Sequence, residues 1–263
     1  QYLKDNSFNY SNDNDHILYV ASNELHSCNE VLTLFKQMLS KTNKKNIWII
    51  TSFAIYIQGD LISNPNQSTI WGLCKTFQQE STLFVICIDI DTTISYIIEE
   101  MNYHNNDDKL IIYRDGIRYL PYFVACKDLW QKAVSQINKG TYLITGGLGG
   151  IGLVTALWMI ENGATSLMLV SRSGTLRSNV SLKEQEIYKK IQSRNSEIII
   201  QSCDISNVND VKNLKKSFVG IIHSAGTIND NLVENISWDQ YEIVFGPKVY
   251  GTKYLHDASL YFP

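Results

Sequence analysis

Cysteine, proline and net charge are all scarce in this sequence, and the cysteines are informative through their spacing. The five cysteines are odd in number, lie far apart and form no CxxC pair. Such spacing argues against a disulfide framework and against a zinc site, so no metal is expected and a reducing, cytoplasmic location fits best. Four prolines and 15 glycines among 263 residues exclude a collagen-like or linker-dominated chain.

Long apolar runs and an excess of one charge are also missing. Lysine and arginine total 23 against 26 aspartate and glutamate residues, which argues against nucleic-acid binding through bulk positive charge. No apolar run approaches the roughly 18–20 residues that a membrane span needs, so no membrane partner is expected. What is present is a chain that is 44% hydrophobic and long enough for one large domain or two ordinary ones.

The two ends of the sequence indicate a piece of a longer polypeptide. It begins with Gln1, shows no signal-peptide-like stretch and ends in the apolar run Leu260–Pro263. Residues 1–15 are polar and rich in Asn and Asp, a composition that predicts poor order.

The first half of the chain alternates strand-like and helix-like segments. Apolar runs predict strands at 17–21, 47–52 and 84–90, and helical spacing predicts helices at 28–42, 67–80 and 92–102. Two further β-rich runs, 110–114 and 117–120, are joined by Asp115-Gly116 and predict a hairpin.

From Thr141 the alternation is stricter. Strands are predicted at 141–145, 167–171, 197–201 and 219–223, and helices near 150–162, 181–195, 207–217 and 237–259. Strands that alternate with helices are typical of a parallel sheet. We therefore predict an α/β fold with two Rossmann-like parallel-sheet subdomains, residues 1–138 and 139–263, the second cut short at its C-terminus. A weak duplication of one architecture is compatible with this pattern.

The most informative stretch is the glycine-rich loop after the strand at 141–145. It satisfies both GxGxxG and TGxxxGIG, and its members are Thr145, Gly146, Gly147, Leu148, Gly149, Gly150, Ile151 and Gly152. Glycine is needed where the chain turns with positive φ and where backbone must approach a pyrophosphate, which the following helix N-terminus attracts. The strand before and the amphipathic helix after it favour a dinucleotide-binding turn; a glycine turn without a ligand is the alternative.

The end of the second strand bears on which nicotinamide dinucleotide is bound. Here Ser171 and Arg172 stand where an acidic residue would hold the ribose 2′-hydroxyl of NAD. A guanidinium at this point can pair with a 2′-phosphate, which favours NADP(H). The alternative is an arginine solvated in a surface loop.

The third and fourth strands end in further candidate residues. Asp204, followed by Ile205, could accept a hydrogen bond from an adenine amino group, or it could terminate the strand or cap the next helix. After the fourth strand, the small residues Ser224, Ala225 and Gly226 would let the chain pass close to a ribose. His223 is either a catalytic base or an ordinary histidine at a strand end, and the second interpretation is favoured.

These segments resemble the ketoreductase domain of polyketide synthases, a member of the short-chain dehydrogenase/reductase superfamily. Besides the glycine loop, the resemblance is carried by Gly220–Asn231 and most specifically by Pro247–His256, which has the pattern Pro-Lys-Val-x-Gly-x-x-x-Leu-His. Residues before 140 resemble the other half of such a domain, a truncated Rossmann-like structural subdomain that binds no cofactor, through Ser68–Phe77, Val85–Asp91 and Tyr113–Pro121.

The resemblance implies that NADPH reduces a β-ketoacyl thioester linked through phosphopantetheine to an acyl carrier protein, with other synthase domains in the same polypeptide. In such domains a Tyr donates the proton, a Ser binds the carbonyl oxygen, an Asn completes the set and a Lys lowers the pKa of the Tyr. Lys248 matches that catalytic Lys. Asp230, in Ile228-Asn229-Asp230, is similar to a Leu-Asp-Asp signature of one stereochemical class, although the middle residue differs; the alternative is a cap on a short helix near 231–235.

The resemblance places the catalytic Ser and Tyr beyond Phe262, after which the sequence stops. The 263-residue chain alone is therefore predicted to be inactive or nearly so, while its intact parent would reduce ketones. We also expect an exposed sheet edge and poor solubility. The alternatives are a structural remnant that scaffolds neighbouring domains and a stand-alone short-chain reductase, against which the 140-residue leader argues.

Overall fold

The computed structural model describes residues 16–24, 26–41, 45–103, 107–125, 137–214 and 217–260. By packing, the chain divides into two compact units, the first made of residues 1–126 and 231–236 and the second of residues 127–230 and 237–263. The expectations for residues 1–15 and for the apolar end at 261–263 fall outside the described residues. The predicted boundary at 138/139 follows residues 126–136, which are also outside them, and it stays a prediction. Within the described ranges, no helix is both long and apolar enough to cross a membrane.

Among its described residues, the first unit has a five-stranded sheet and three helices. The elements are β1 (His16–Val20), α1 (Ser27–Leu39), β2 (Asn46–Ser52), α2 (Pro65–Glu80), β3 (Val85–Ile90), α3 (Ser95–Tyr103), β4 (Leu110–Arg114) and β5 (Ile117–Tyr119). The strands lie side by side in chain order, β1-β2-β3-β4-β5, and neighbours are parallel except for the antiparallel β4–β5 pair.

Local sequence explains how these elements begin and turn. Pro65 stands in the first turn of α2, where its missing N–H costs nothing. The predicted hairpin forms across Asp115 and Gly116, whose φ angles of 49° and 80° are those of a type I′ turn. All six residues of β3 are buried, as expected for the centre of a parallel sheet.

The carboxyl ends of β2, β3 and β4 are joined by a buried ion-pair network. The fully buried Asp89 carboxylate accepts hydrogen bonds from Thr51 Oγ1 at 2.7 Å, from Ala54 N at 2.9 Å and from Arg114 Nη2 at 2.7 Å. The same guanidinium pairs through Nε with Asp60 at 3.0 Å. In this unit, the protein's own side chains therefore fill the strand ends at which open α/β sheets bind ligands.

Among its described residues, the second unit has a four-stranded parallel sheet with helices between its strands. Its elements are β6 (Thr141–Thr145), α4 (Gly150–Glu161), β7 (Ser166–Ser171), α5 (Leu182–Gln192), β8 (Glu197–Ser202), α6 (Val208–Lys212), β9 (Gly220–His223), α7 (Trp238–Phe245), a π-helical turn (Gly246–Tyr250) and α8 (Gly251–Ser259). The strand order in the sheet is β8-β7-β6-β9. The predicted α/β class with two parallel-sheet subdomains is thus confirmed. Because the two strand orders differ, the units are not simple copies of one architecture.

The core of the second unit lies on both faces of its sheet. Along β6, Leu143 and Ile144 point to opposite faces, as the two-residue period of a strand requires. Ile144 packs with Leu153 of α4 on one face, and Leu143 packs with Leu255 of α8 on the other. All four of these side chains are at least 97% buried.

The helix predicted at 237–259 differs from the structure in one respect. It is interrupted at Gly246–Tyr250 by a π-helical turn, which contains Pro247, a residue with no N–H to donate to the α-helical pattern. Nor do residues 231–235 form a helix: they make a turn, and 231–236 pack with the first unit, where Val233 N donates to Glu80 Oε2 at 2.7 Å. The cap alternative for Asp230 therefore has no helix to cap.

Candidate functional site

A cleft opens at the carboxyl ends of the parallel strands of the second unit. The strand order reverses at β6, because β7 and β8 lie on one side of it and β9 on the other. Loops at such a reversal diverge and leave a crevice, which is where open α/β sheets bind ligands. The cleft has a volume of about 780 Å³, and the segments that follow all four strands line it. This volume suits a cofactor-sized molecule.

The glycine turn after β6 is shaped by backbone contacts that exclude side chains. Gly146 has φ +63°, and a Cβ there would lie 2.8 Å from Ala225 Cα and 2.9 Å from Ser224 O. At Gly152 a Cβ would lie 2.7 Å from Gly147 Cα, which shows how closely the first turn of α4 packs on the loop. Glycine is therefore required at these two positions by conformation and by close approach, respectively.

The N-terminus of α4 faces this turn without a capping side chain. Gly149 is the N-cap residue and has no side chain that could accept from the first amides of the helix. These amides and the positive end of the helix dipole are consequently available to an anion in the cleft.

Thirteen of the fifteen cofactor-binding residues predicted from sequence line the cleft. They are Gly146, Leu148, Gly149, Gly150, Ile151, Gly152, Ser171, Arg172, Asp204, Ile205, Ser224, Ala225 and Gly226. The other two, Thr145 and Gly147, do not line the cleft. Thr145 is fully buried and holds the end of β9, since its carbonyl accepts from Ser224 Oγ at 2.6 Å. Gly147 N donates to Val170 O at 3.0 Å.

Two arginines, rather than one, line the cleft beyond β7. Arg172 follows the strand directly, and Arg177 comes from the same loop; both side chains are exposed. The loop between them turns at Gly174, which has φ +64° and whose N–H donates to Ser171 Oγ at 3.1 Å. Sequence reasoning missed Arg177, although a second cation five residues after the first was a visible signal.

Asp204 lines the cleft, but its carboxylate also makes a local turn. Its Oδ1 accepts from Ser206 N at 2.9 Å, and its own amide donates to Asp210 Oδ2 at 2.9 Å. The N-cap of α6 is Asn207, whose side chain accepts from Asn209 N at 2.9 Å. The cap role considered for Asp204 therefore belongs to Asn207.

One wall of the cleft comes from α7 and the π-helical turn, which sequence reasoning did not assign to the site. Glu242 and Ile243 of α7 line the cleft together with Gly246 and Pro247. A Cβ on Gly246 would lie 2.8 Å from Ser206 Oγ, so this wall approaches the β8 loop closely. The signal in the sequence was the Gly-Pro pair, which marks a helix irregularity.

Lys248 lies on the π-helical turn, beside the cleft. It is not a lining residue, but its Cε is 3.5 Å from the position a Cβ would take on Gly226, which does line the cleft. Asp230 is exposed and does not line the cleft.

No tyrosine lines the cleft within the described ranges. Tyr250 comes near it, because its hydroxyl lies 3.4 Å from Oε1 of the lining residue Glu242. Burial, and then the carboxylate of Glu242, raises the pKa of Tyr250. This is the opposite of what a cation beside a proton-donating phenol would do.

His223, at the end of β9, does not line the cleft and is held at both ring nitrogens. Nδ1 lies 2.6 Å from Thr145 Oγ1, and Nε2 lies 2.9 Å from Pro247 O. Of the two interpretations of this histidine, the geometry favours the structural one.

This chain is similar to known proteins in sequence and in fold. Residues 140–262 match the family model of the KR domain. The chain is 29% identical to a 6-methylsalicylic acid synthase of Arthrobotrys oligospora, over 87% of this chain and 14% of that protein. It is 25% identical to a phenolphthiocerol/phthiocerol polyketide synthase of Mycobacterium tuberculosis, over 81% of this chain and 12% of that protein. The chain thus spans about one seventh of the length of these relatives.

Among solved structures, the first ketoreductase of the tylosin polyketide synthase superposes with a TM-score of 0.77 at 20% identity. The superposition covers 93% of this chain and 55% of that one. This likeness shows that the two share a fold.

Proposed function

We propose that residues 140–262, which match the KR domain, form a KR domain of the polyketide synthase type and serve the NADPH-dependent reduction of a β-ketoacyl thioester on an acyl carrier protein. The observation that carries the proposal is the glycine turn at the strand reversal, where backbone contacts forbid a Cβ and an uncapped helix faces the cleft. Other domains of a synthase would supply the substrate and take the product.

The residues of the cleft fit a phosphorylated dinucleotide. The pyrophosphate would lie against Gly149, Gly150 and the first amides of α4, which no side chain caps. The guanidinium groups of Arg172 and Arg177 would pair with the 2′-phosphate, because both side chains are exposed in the cleft. When bound, NADPH supplies the hydride.

The parts of the cleft formed by the residues after β8 and β9 suit the less charged parts of the cofactor. Asp204 and Ile205 would border the adenine, with Ile243 of α7 as an apolar wall on the same cleft. Ser224, Ala225 and Gly226 would let the nicotinamide ribose approach the backbone. Thr145 and Gly147 would not contact the cofactor but would stabilise the glycine turn through their hydrogen bonds.

Lys248 is the proposed catalytic residue among the described ones. Its stem packs toward Gly226, which places its ammonium group within reach of the ribose end of the cleft. A cation there would contact the ribose and lower the pKa of a proton-donating tyrosine. Asp230 is proposed, on the signature alone, as a determinant of product stereochemistry.

Within the described residues, this site contains no tyrosine that could donate the proton. Since no described tyrosine lines the cleft, we propose that the 263-residue chain by itself does not reduce ketones. The same observation favours a second candidate, a non-catalytic remnant that scaffolds neighbouring domains. The first unit is proposed as a structural subdomain without cofactor, because its strand order has no reversal among the described strands and its strand ends are filled. A cytoplasmic location is proposed for the protein.

The proposal is tested by titrating the purified chain with NADPH and with NADH and following nucleotide fluorescence. We expect NADPH to bind at least about tenfold more tightly, since pairing with the 2′-phosphate is worth roughly 1.5–3 kcal/mol. Gly152→Val should abolish binding, and Gly72→Ala, at a helical site with no heavy atom within 4 Å of the added Cβ, is the control. No binding of either nucleotide by the folded chain would refute the proposal.

The catalytic part of the proposal needs the intact parent. We expect the parent to oxidise NADPH when given a β-ketoacyl thioester, and its Lys248→Met variant to lose most of that rate. A parent that binds NADPH but leaves the ketone unchanged would establish the scaffolding role instead.

A further inference from the structure

The hydrogen bonds of His223 favour one assignment of its ring hydrogens. Pro247 O can only accept, so Nε2, at 2.9 Å from it, carries a hydrogen. Thr145 Oγ1 accepts from Ala225 N at 3.2 Å and still has its own hydroxyl hydrogen, and Nδ1, at 2.6 Å, is within reach as the acceptor. A neutral ring with its hydrogen on Nε2 satisfies both ring nitrogens and the hydroxyl, whereas a hydrogen on Nδ1 would take this acceptor away from the buried hydroxyl.

The acceptor for Nε2 exists because of the π-helical turn. In an α-helix, Gly251 N would donate to Pro247 O; here it donates instead to Gly246 O, one residue further back. Pro247 O thereby loses the amide partner of an α-helix, and His223 takes its place. The next carbonyl in the turn, that of Lys248, likewise accepts from a side chain, Thr252 Oγ1, at 2.5 Å.

These contacts link three parts of the site. Thr145 begins the glycine turn, His223 ends β9, and Pro247 immediately precedes the lysine proposed as catalytic. A shift of the π-helical turn would move the stem of Lys248 away from Gly226, where its Cε lies 3.5 Å from the Cβ position.

We propose that His223 is a positioning residue that, as a neutral Nε2–H imidazole, fixes the π-helical turn and with it Lys248 against the ends of β6 and β9. The part that concerns Lys248 and the cofactor rests on the function proposed above. The hydrogen-bond assignment does not depend on it.

Two variants separate hydrogen bonding from ring volume. His223→Phe keeps a planar ring and removes both nitrogens. His223→Gln keeps one amide donor for Pro247 O and one carbonyl acceptor for Thr145 Oγ1. Thermal melting of each variant establishes that it is folded.

The first measurement is nitrogen-15 NMR of the imidazole of His223 in the wild-type chain near neutral pH. We expect Nε2 to be the protonated nitrogen and Nδ1 to be bare. A ring protonated on Nδ1, or on both nitrogens, would overturn the assignment.

The second measurement is the NADPH affinity of the variants. We expect His223→Phe to bind about three- to tenfold more weakly, the loss of one or two net hydrogen bonds. His223→Gln should remain within about twofold of the wild type, because it restores both contacts. Unchanged affinity of folded His223→Phe, or equal losses in both variants, would overturn the positioning role.

Failure of the proposed function is distinguishable from failure of this inference. If the wild-type chain binds no NADPH, the cofactor proposal fails, and the inference is decided by hydrogen exchange of the amides of residues 246–252 without ligand. Exchange that is about three- to tenfold faster in His223→Phe, but not in His223→Gln, would support the positioning role of His223. Equal exchange in all three proteins would overturn it.

Discussion

Replacement of Gly146 by alanine should destabilise the second unit far more than a comparable replacement elsewhere. The left-handed conformation at φ +63° is about 1–2 kcal/mol less favourable for alanine than for glycine. The added Cβ would also lie 2.8–2.9 Å from three backbone atoms of Ser224 and Ala225, which cannot rotate away as a side chain could. Crowding of this kind adds about 1–3 kcal/mol, for a total of about 2–5 kcal/mol.

The matched control is Gly163→Ala in the same unit. Gly163 also has positive φ, +102°, but no heavy atom lies within 4 Å of the added Cβ, so alanine there has the conformational cost alone. The free energies of unfolding, from urea titrations followed by circular dichroism, should therefore differ by about 1–3 kcal/mol between the two variants. Equal stabilities would refute the close approach of the glycine turn to the residues after β9.

Three further predictions follow from other contacts. Arg172→Ala and Arg177→Ala should each weaken the binding of NADPH by about tenfold or more and leave the binding of NADH nearly unchanged. The control Arg194→Ala, which removes a surface ion pair, should change the affinity for neither nucleotide. Equal losses for both nucleotides would contradict the pairing of the two arginines with the 2′-phosphate. Asp89→Asn should destabilise the first unit by about 3 kcal/mol, as expected when a buried ion pair loses its carboxylate, and a loss below about 1 kcal/mol in urea unfolding would contradict this. Burial, and then a hydrogen bond to a glutamate, raises the pKa of Tyr113 to about 12. Because the unfolded phenol ionises near pH 10, the unfolding free energy should fall as the pH rises from about 10 to 12. Tyr113→Phe should make this fall smaller.

Strand positions and the glycine loop could be predicted from sequence because they depend on local chemistry. The strand at Thr141–Thr145 was bounded correctly, and the hairpin formed at Asp115-Gly116, where the residue types dictate the turn. Thirteen of the fifteen residues predicted to bind the cofactor line the cleft, since parallel strands bring their carboxyl ends to one edge.

What the sequence could not provide depends on contacts between distant segments. To predict the wall formed by Glu242 and Ile243, one would need to know how α7 packs, and the periodicity of the sequence does not give this information. The π-helical turn was missed because Pro247 predicts an irregularity but not its form. The role of His223 depends on partners 78 and 24 residues away along the chain.

The contrasting strand orders have a consequence for folding during synthesis. In the first unit each strand pairs with the one made just before it, so its sheet can grow as the chain emerges from the ribosome. In the second unit β6 is flanked on one side only until β9 appears, since Tyr142 pairs with Gly220. Pairing over so long a separation is slow, and the edge of β6 is exposed to other nascent chains in the interval.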